Sequence, residues 1–272
     1  MAHIFGARAH DYPGKTPAEH FSAIQADGMS TMQLAIPKSF GAAYPIPQEL
    51  LNEIKAALDE RDMCVTVLGC YINPALPEEA ERLAQVETYI KAMPAAHFLG
   101  AKCIGTETTR FIGTPEEHKA AMDLLVDSMK RMAEAAEKHD VYIGVEPVSS
   151  HTLNRPALVK ELIERVGSDR IKIIFDPINL IMKCDMDDQP GFIRTCKETF
   201  GDRIVAIHVK DFRFDEQGRK AEAPMFEGEF DWASFVKEFA GCELSWIRDE
   251  GAAGQNKGEF DKLKQMIAEA KA

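Results

Sequence analysis

The sequence lacks the features that mark several large classes of protein. It has no run of 18 uninterrupted apolar residues and no basic N-terminal segment followed by an apolar one. We therefore expect no membrane span, no secretory leader and no membrane partner. The six cysteines form no CxxC pair, and several lie in or beside predicted buried strands. We interpret them as reduced core residues of a cytoplasmic protein.

Positive charge is also scarce. The chain has 32 lysine and arginine residues against 44 acidic residues, which gives a formal net charge of −12. A field of this sign does not gather phosphate backbones, so we expect no nucleic-acid partner.

What the chain does contain is a regular alternation of apolar runs and helical patterns. Each apolar run is short and bounded by turn-forming residues, as expected for parallel strands that are buried on both faces. The helical patterns between them begin at recognisable caps, such as Thr16-Pro17 and Thr114-Pro115. The predicted strands span residues 4–9, 31–36, 64–68, 102–105, 141–147, 171–175, 204–207 and 244–247.

Eight strand-then-helix units in 272 residues predict an α/β fold, a single-domain (β/α)₈ TIM barrel over residues 1–272. An open doubly wound sheet has the same alternation and is the alternative. Against it, no GxGxxG follows the first strand. A closed barrel also brings polar residues from four different strand ends to one mouth, which an open sheet does not.

Four predicted strands end in residues that bind divalent metals: Glu146, Asp176, His208 and Glu250. Any one of them has an ordinary structural reading, such as a helix cap or a buried histidine, but their repeated placement argues for a shared site. Three carboxylates and one imidazole suit Mn²⁺ first, with Mg²⁺, Co²⁺ or Zn²⁺ as alternatives. Such a metal stabilises an enediolate, while Glu146 and Glu250 remove and return a proton as the catalytic pair. In the last strand, Asp249 and Arg248 remain open alternatives to Glu250 as the ligand.

Polar residues near these strand ends are candidates for substrate binding. Lys210 follows His208 by two positions and would bind an anionic group or pair with Asp211. The full set of predicted substrate-binding residues is His151, Asn179, Lys210, Glu107, Tyr71 and His10.

Four segments resemble a known family: VEPVSSHT around Glu146, FDPINL around Asp176, AIHVKDF around His208, and FEGEFDW before the last strand. They are similar to the xylose-isomerase-like TIM-barrel superfamily of sugar isomerases and epimerases. The resemblance implies the same four metal ligands, and Glu146 with Glu250 as the acid/base pair of ketose 3-epimerases. Asn179 departs from the pattern, because those epimerases have a histidine three residues after the metal-binding aspartate.

These observations predict a divalent-metal-dependent isomerase or epimerase of a small sugar or keto-sugar, working by proton abstraction beside a carbonyl. The first alternative is a lyase with the same site, either an inosose-type dehydratase or the catalytic subunit of a C-glycoside deglycosidase. The second is a barrel that binds a sugar without turnover. Barrels of this type often pair through their helices, so a homo-oligomer is possible.

Overall fold

A computed structural model gives the structure of residues 4–271, and its centre is a closed barrel of eight parallel strands. Residues 4–271 contain ten strands, numbered in chain order, of which β8 and β9 lie outside the barrel. The barrel strands are β1 (Ile4–Arg8), β2 (Thr31–Leu34), β3 (Cys64–Gly69), β4 (Cys103–Glu107), β5 (Ile143–Glu146), β6 (Ile171–Phe175), β7 (Ile204–Val209) and β10 (Ser245–Arg248).

Helices surround the barrel and connect its strands. Two of the longer ones begin at capping boxes, in which Thr16 or Thr114 accepts a hydrogen bond from the backbone of a glutamate three residues later. The helices are α1 (Pro17–Ala26), α2 (Ile36–Phe40), α3 (Gln48–Glu60), α4 (Glu79–Leu99), α5 (Pro115–His139), α6 (Pro156–Val166), α7 (Pro177–Leu180), α8 (Gln189–Phe200), α9 (Trp232–Phe239) and α10 (Asn256–Lys271).

The strand order around the barrel is β1-β10-β7-β6-β5-β4-β3-β2, and β2 pairs again with β1. This closure excludes the open sheet and confirms the predicted TIM barrel. All eight predicted strands are present, with ends that shift by a few residues. Because the strands are parallel, their C-terminal ends meet at one mouth, as the sequence predicted.

Two glycines of the barrel wall, just below that mouth, leave space that neighbouring side chains occupy. A Cβ on Gly105 would lie 2.5 Å from Val67 Cγ1, and a Cβ on Gly144 would lie 2.6 Å from Cys103 Sγ. Both added atoms would also come within 3.0 Å of Ile174 Cδ1. Apolar side chains therefore fill the barrel axis to the level just under Glu107 and Glu146.

The long polar loop predicted after His208 is not one loop. It contains an antiparallel hairpin of β8 (Asp211–Phe214) and β9 (Lys220–Ala223). The buried Asp211 carboxylate fixes the segment that follows, because it accepts hydrogen bonds from four backbone amides and from Trp232 Nε1. Both strands alternate polar and apolar residues, but each has only four residues, so the sequence did not distinguish the hairpin from a loop.

Over residues 4–271, no helix is both long and apolar enough to cross a membrane. All six cysteines are free, but Cys64 and Cys184 are exposed, so the expectation of core positions was wrong for these two.

Candidate active site

Three of the four predicted ligands meet at the barrel mouth. Glu146 is the last residue of β5, Asp176 directly follows β6, and His208 lies near the end of β7. One ligand atom from each of the three lies within 4.8 Å of the others. The residues are 2%, 0% and 1% exposed, respectively. They form a buried group of two carboxylates and one imidazole.

Local hydrogen bonds orient the two carboxylates and leave part of each available. Asp176 Oδ1 accepts from the backbone N–H groups of Ile178 and Asn179, at 2.8 and 2.9 Å, where α7 begins. Glu146 Oε1 accepts from Asn179 Nδ2 at 2.7 Å. Asn179 therefore contacts both ligand-bearing segments and holds the Glu146 side chain in place.

Several buried atoms of the group have no hydrogen bond: both ring nitrogens of His208, and Asp176 Oδ2, which forms an ion pair with the Lys210 ammonium at 3.2 Å. Glu146 Oε2 lies 3.4 Å from His208 Nδ1 without forming a hydrogen bond to it. Buried polar atoms are usually satisfied, and those that are not require an explanation. Carboxylate oxygens and an imidazole nitrogen are the donor set of Mn²⁺, Mg²⁺ and Zn²⁺ sites, so these three residues fit a divalent cation.

The electrostatics of the group favour positive charge. Burial raises the pKa of Asp176 despite the nearby Lys210 ammonium. Burial by itself lowers the pKa of His208, but the neighbouring carboxylates, Glu146 foremost, raise it to about 9. The carboxylates around this imidazole therefore favour a positive charge at this position.

The end of β10 places the side chains of Asp249 and Glu250 differently. Ile247 pairs in register with the inward-facing His208, so Asp249, two residues further on, also faces the barrel axis. Its carboxylate is 2.7 Å from Lys210 Nζ and 2.8 Å from an Arg8 guanidinium nitrogen. Burial would raise the pKa of Asp249, but Lys210, His208 and Arg8 hold it well below its usual range.

Glu250 lies at the rim instead. Its backbone has a φ of 59°, its side chain is 46% exposed, and its carboxylate is 3.8 Å from Lys210 Nζ. Among the residues that the structure describes, the candidate metal-binding group does not include it. The structure thus brings three of the four predicted ligands together and leaves Glu250 beside them.

Lys210 does not pair with Asp211, one of the two roles considered for it. Its ammonium contacts Asp249, Asp176 and Glu250, while the Asp211 carboxylate turns to the hairpin segment. Burial lowers the pKa of Lys210, but these carboxylates raise it well above its usual range. The positive charge of Lys210 is therefore compensated by carboxylates of the protein itself.

The mouth encloses a cavity of about 380 Å³. Most residues predicted to bind substrate line it, namely His10, Tyr71, Glu107, Asn179 and Lys210. His151 is not part of the lining; its Nδ1 lies 3.7 Å from Glu107 Oε2. Burial, followed by Glu146, raises the pKa of Glu107 to about 7.

Sequence reasoning missed four lining residues: Arg8, Gln33, Lys38 and Val148. Gln33 carried a usable signal, because it is the polar residue in the buried strand TMQL. Arg8 was within the first predicted strand, where a charged residue at the C-terminal end also marks the mouth of a barrel. Lys38 lies beyond its strand in the short helix α2, which the sequence did not predict.

Comparison with known proteins agrees with this architecture. A 3-keto-D-glucoside 4-epimerase from E. coli superposes with a TM-score of 0.77 at 15% identity, covering 97% of this chain and 99% of that one. A D-tagatose 3-epimerase-like protein gives a TM-score of 0.76 at 15% identity, covering 99% and 100%. A xylose isomerase-like TIM barrel protein from Mycobacterium smegmatis, in complex with magnesium, gives 0.73 at 13% identity, covering 99% and 98%.

At such low identity these likenesses establish the fold alone. No curated protein matched the sequence. The model of the xylose isomerase-like TIM barrel family, however, matches residues 21–241, which is most of the sequence. The chain therefore belongs to the xylose isomerase-like TIM barrel family.

Proposed function

We propose that the protein is a divalent-metal-dependent isomerase or epimerase of a small sugar or keto-sugar. The observation that carries this proposal is the buried group of Glu146, Asp176 and His208, whose ligand atoms lie within 4.8 Å of one another and are partly unpartnered. Family membership and the epimerases of similar fold support it. For the ion we propose Mn²⁺, because one imidazole joins the carboxylates.

In this proposal, Glu146, Asp176 and His208 hold the cation, and Asn179 keeps Glu146 oriented. A bound divalent cation supplies Lewis-acid stabilisation of negative charge on the substrate oxygens. The cavity of about 380 Å³ has room for a monosaccharide. The three side chains themselves are buried at its base.

The proton-transfer roles follow from charge. Glu146 removes the proton from the carbon beside the substrate carbonyl, and a second group returns one to complete the isomerisation. Asp249 is a poor candidate for the second group, because two cations contact it and keep its pKa low. Glu250 lines the same cavity and pairs with Lys210 at the longer distance of 3.8 Å, so we assign the second role to Glu250.

The test combines substitution with a solvent label. Purified protein loaded with Mn²⁺ is incubated in D₂O with a panel of aldoses and ketoses, and the products are analysed by NMR spectroscopy. We expect deuterium on the carbon beside the carbonyl, without loss of water or of an aglycone. Glu146→Gln should lower the rate by about 10²–10⁴-fold with folding retained, because glutamine cannot accept the proton. Glu53→Gln, on the exposed face of α3, is the matched control.

Three results would contradict parts of the proposal. Full activity after exhaustive chelation would exclude the metal, and full activity of Glu146→Gln would exclude the assigned base. Release of water or an aglycone would instead identify the lyase alternative. The cytoplasmic location and the homo-oligomer stay predictions from the sequence.

A further inference from the structure

The wall of the cavity that faces the metal-binding group is built from the first two strands. The strand order places β1 and β2 across the barrel from β5 and β6, which carry Glu146 and Asp176. This wall is formed by Arg8 and His10, by Gln33 of β2, and by Lys38 of α2. A substrate bound at the metal centre would extend toward this wall.

The cations around the cavity are not equally available to a ligand. Lys210 contacts three carboxylates. Arg8 is bound by Asp11 at 2.8 Å and by Asp249 at 2.8 Å. Lys38 is an exposed residue that also lines the cavity, and within residues 4–271 its ammonium forms neither an ion pair nor a hydrogen bond. Lys38 is therefore the cavity cation whose charge the protein leaves uncompensated.

Beside Lys38, the wall contains buried polar atoms without partners. Gln33 is 3% exposed, and its Oε1 atom accepts no hydrogen bond. His10 Nδ1 is also buried and has no hydrogen-bond partner. Burial lowers the pKa of His10, Asp11 opposes this lowering, and the charges of Arg8 and Lys38 add to it. A buried acceptor left unpaired costs about 1–3 kcal/mol unless a ligand or water donates to it.

We propose that the substrate is a sugar acid, whose carboxylate binds Lys38 and whose neighbouring hydroxyl donates a hydrogen bond to Gln33 Oε1. The identity of the ligand as a substrate rests on the proposed isomerase function, but its binding is measurable without turnover. A carboxylate fits better than a phosphate ester, because a phosphate brings about −1.5 to −2 charges and the wall offers one uncompensated cation. The unpaired Gln33 Oε1 atom also needs a hydrogen-bond donor. A hydroxyl of the sugar supplies one, whereas an anion without hydroxyl groups does not.

The experiment compares ligands that differ only at the terminal carbon. D-Fructose, D-fructuronate and D-fructose 6-phosphate, with their five-carbon counterparts, are titrated calorimetrically into the Mn²⁺-loaded protein. We expect the carboxylates to bind about fivefold more tightly than the neutral ketoses, which is the upper end for an ion pair at an exposed lysine. The preference should shrink at high ionic strength.

Two substitutions locate the effect. Lys38→Gln should abolish the preference for the carboxylate and leave the affinity for the neutral ketose within about twofold. Lys130→Gln, an exposed lysine of α5 away from the cavity, should leave both unchanged. Gln33→Leu should weaken the neutral and the acidic ligand alike, since it removes the hydroxyl acceptor for both.

Clear results would overturn the proposal. These are equal or weaker binding of the carboxylates, a preference for phosphate over carboxylate, or a carboxylate preference that survives Lys38→Gln. The same titrations with Glu146→Gln separate the two proposals. In Glu146→Gln the Lys38-dependent carboxylate preference should persist without turnover, whereas the same preference in a wild-type protein that shows no isomerase activity would keep the sugar-acid site and refute the proposed reaction.

Discussion

Replacing Lys210 by methionine keeps the length of the side chain and removes the charge on which three carboxylates converge. The ammonium lies 2.7 Å from Asp249 and 3.2 Å from Asp176, and all three groups are buried. Breaking a buried ion pair on one side costs about 3–5 kcal/mol, because the remaining charge is uncompensated. Arg8 still contacts Asp249 in the variant. We therefore expect the free energy of unfolding to fall by about 3 kcal/mol, the lower end of that range.

The assay is urea unfolding with and without Mn²⁺. A cation bound near Asp176 compensates for part of the lost charge, so Mn²⁺ should raise the unfolding midpoint of Lys210→Met more than that of the wild type. Lys130→Met serves as the matched control and should change neither quantity, since Lys130 is exposed on α5. A loss below about 1 kcal/mol would refute the reasoning on buried charge. An unfolding midpoint of Lys210→Met that is the same with and without Mn²⁺ would refute the link to the metal centre.

Two further predictions concern the elements around the site. Asp211→Asn sets an amide against backbone N–H donors, so urea unfolding should show a loss of about 2–4 kcal/mol. Asp231→Asn keeps its helix cap and should stay within 1 kcal/mol, and similar losses for the two variants would contradict this. Gly105→Ala should lose about 1–3 kcal/mol in thermal unfolding, because the added carbon meets Val67. Gly258→Ala, on open helix surface, should not be destabilising, and a loss equal to that of Gly105→Ala would refute the steric argument.

The fold was predictable because its strands are buried on both faces. Such strands appear in the sequence as short apolar runs such as IKIIF, and several helices between them have start signals such as Thr16-Pro17 and Thr114-Pro115. The β8–β9 hairpin was not predictable in the same way. It is stabilised by Asp211, whose hydrogen-bond donors lie as far along the chain as Trp232, and pairing of this kind leaves no local pattern.

The site was predictable in part for the same reason. Glu146, Asp176 and His208 each end an apolar run, so their common direction followed from the barrel itself. The last strand ends in three consecutive charged residues, Arg248-Asp249-Glu250, and only the pairing of Ile247 with His208 shows which one faces inward. Lys38 was missed because its role depends on which other cations already have partners, and the sequence alone does not show this.

The tight packing of Gly105 and Gly144 against Ile174 has a consequence for how a ligand reaches the metal centre. Side chains pressed together at this level form a rigid floor, and the acidic groups above it have no room to withdraw downward when a ligand arrives. Adjustment must come from above, from the hairpin, the β10 end and the α2 segment. Entry and release of a ligand would then be governed by the rim of the barrel, where the segments that follow the strands differ in length and secondary structure.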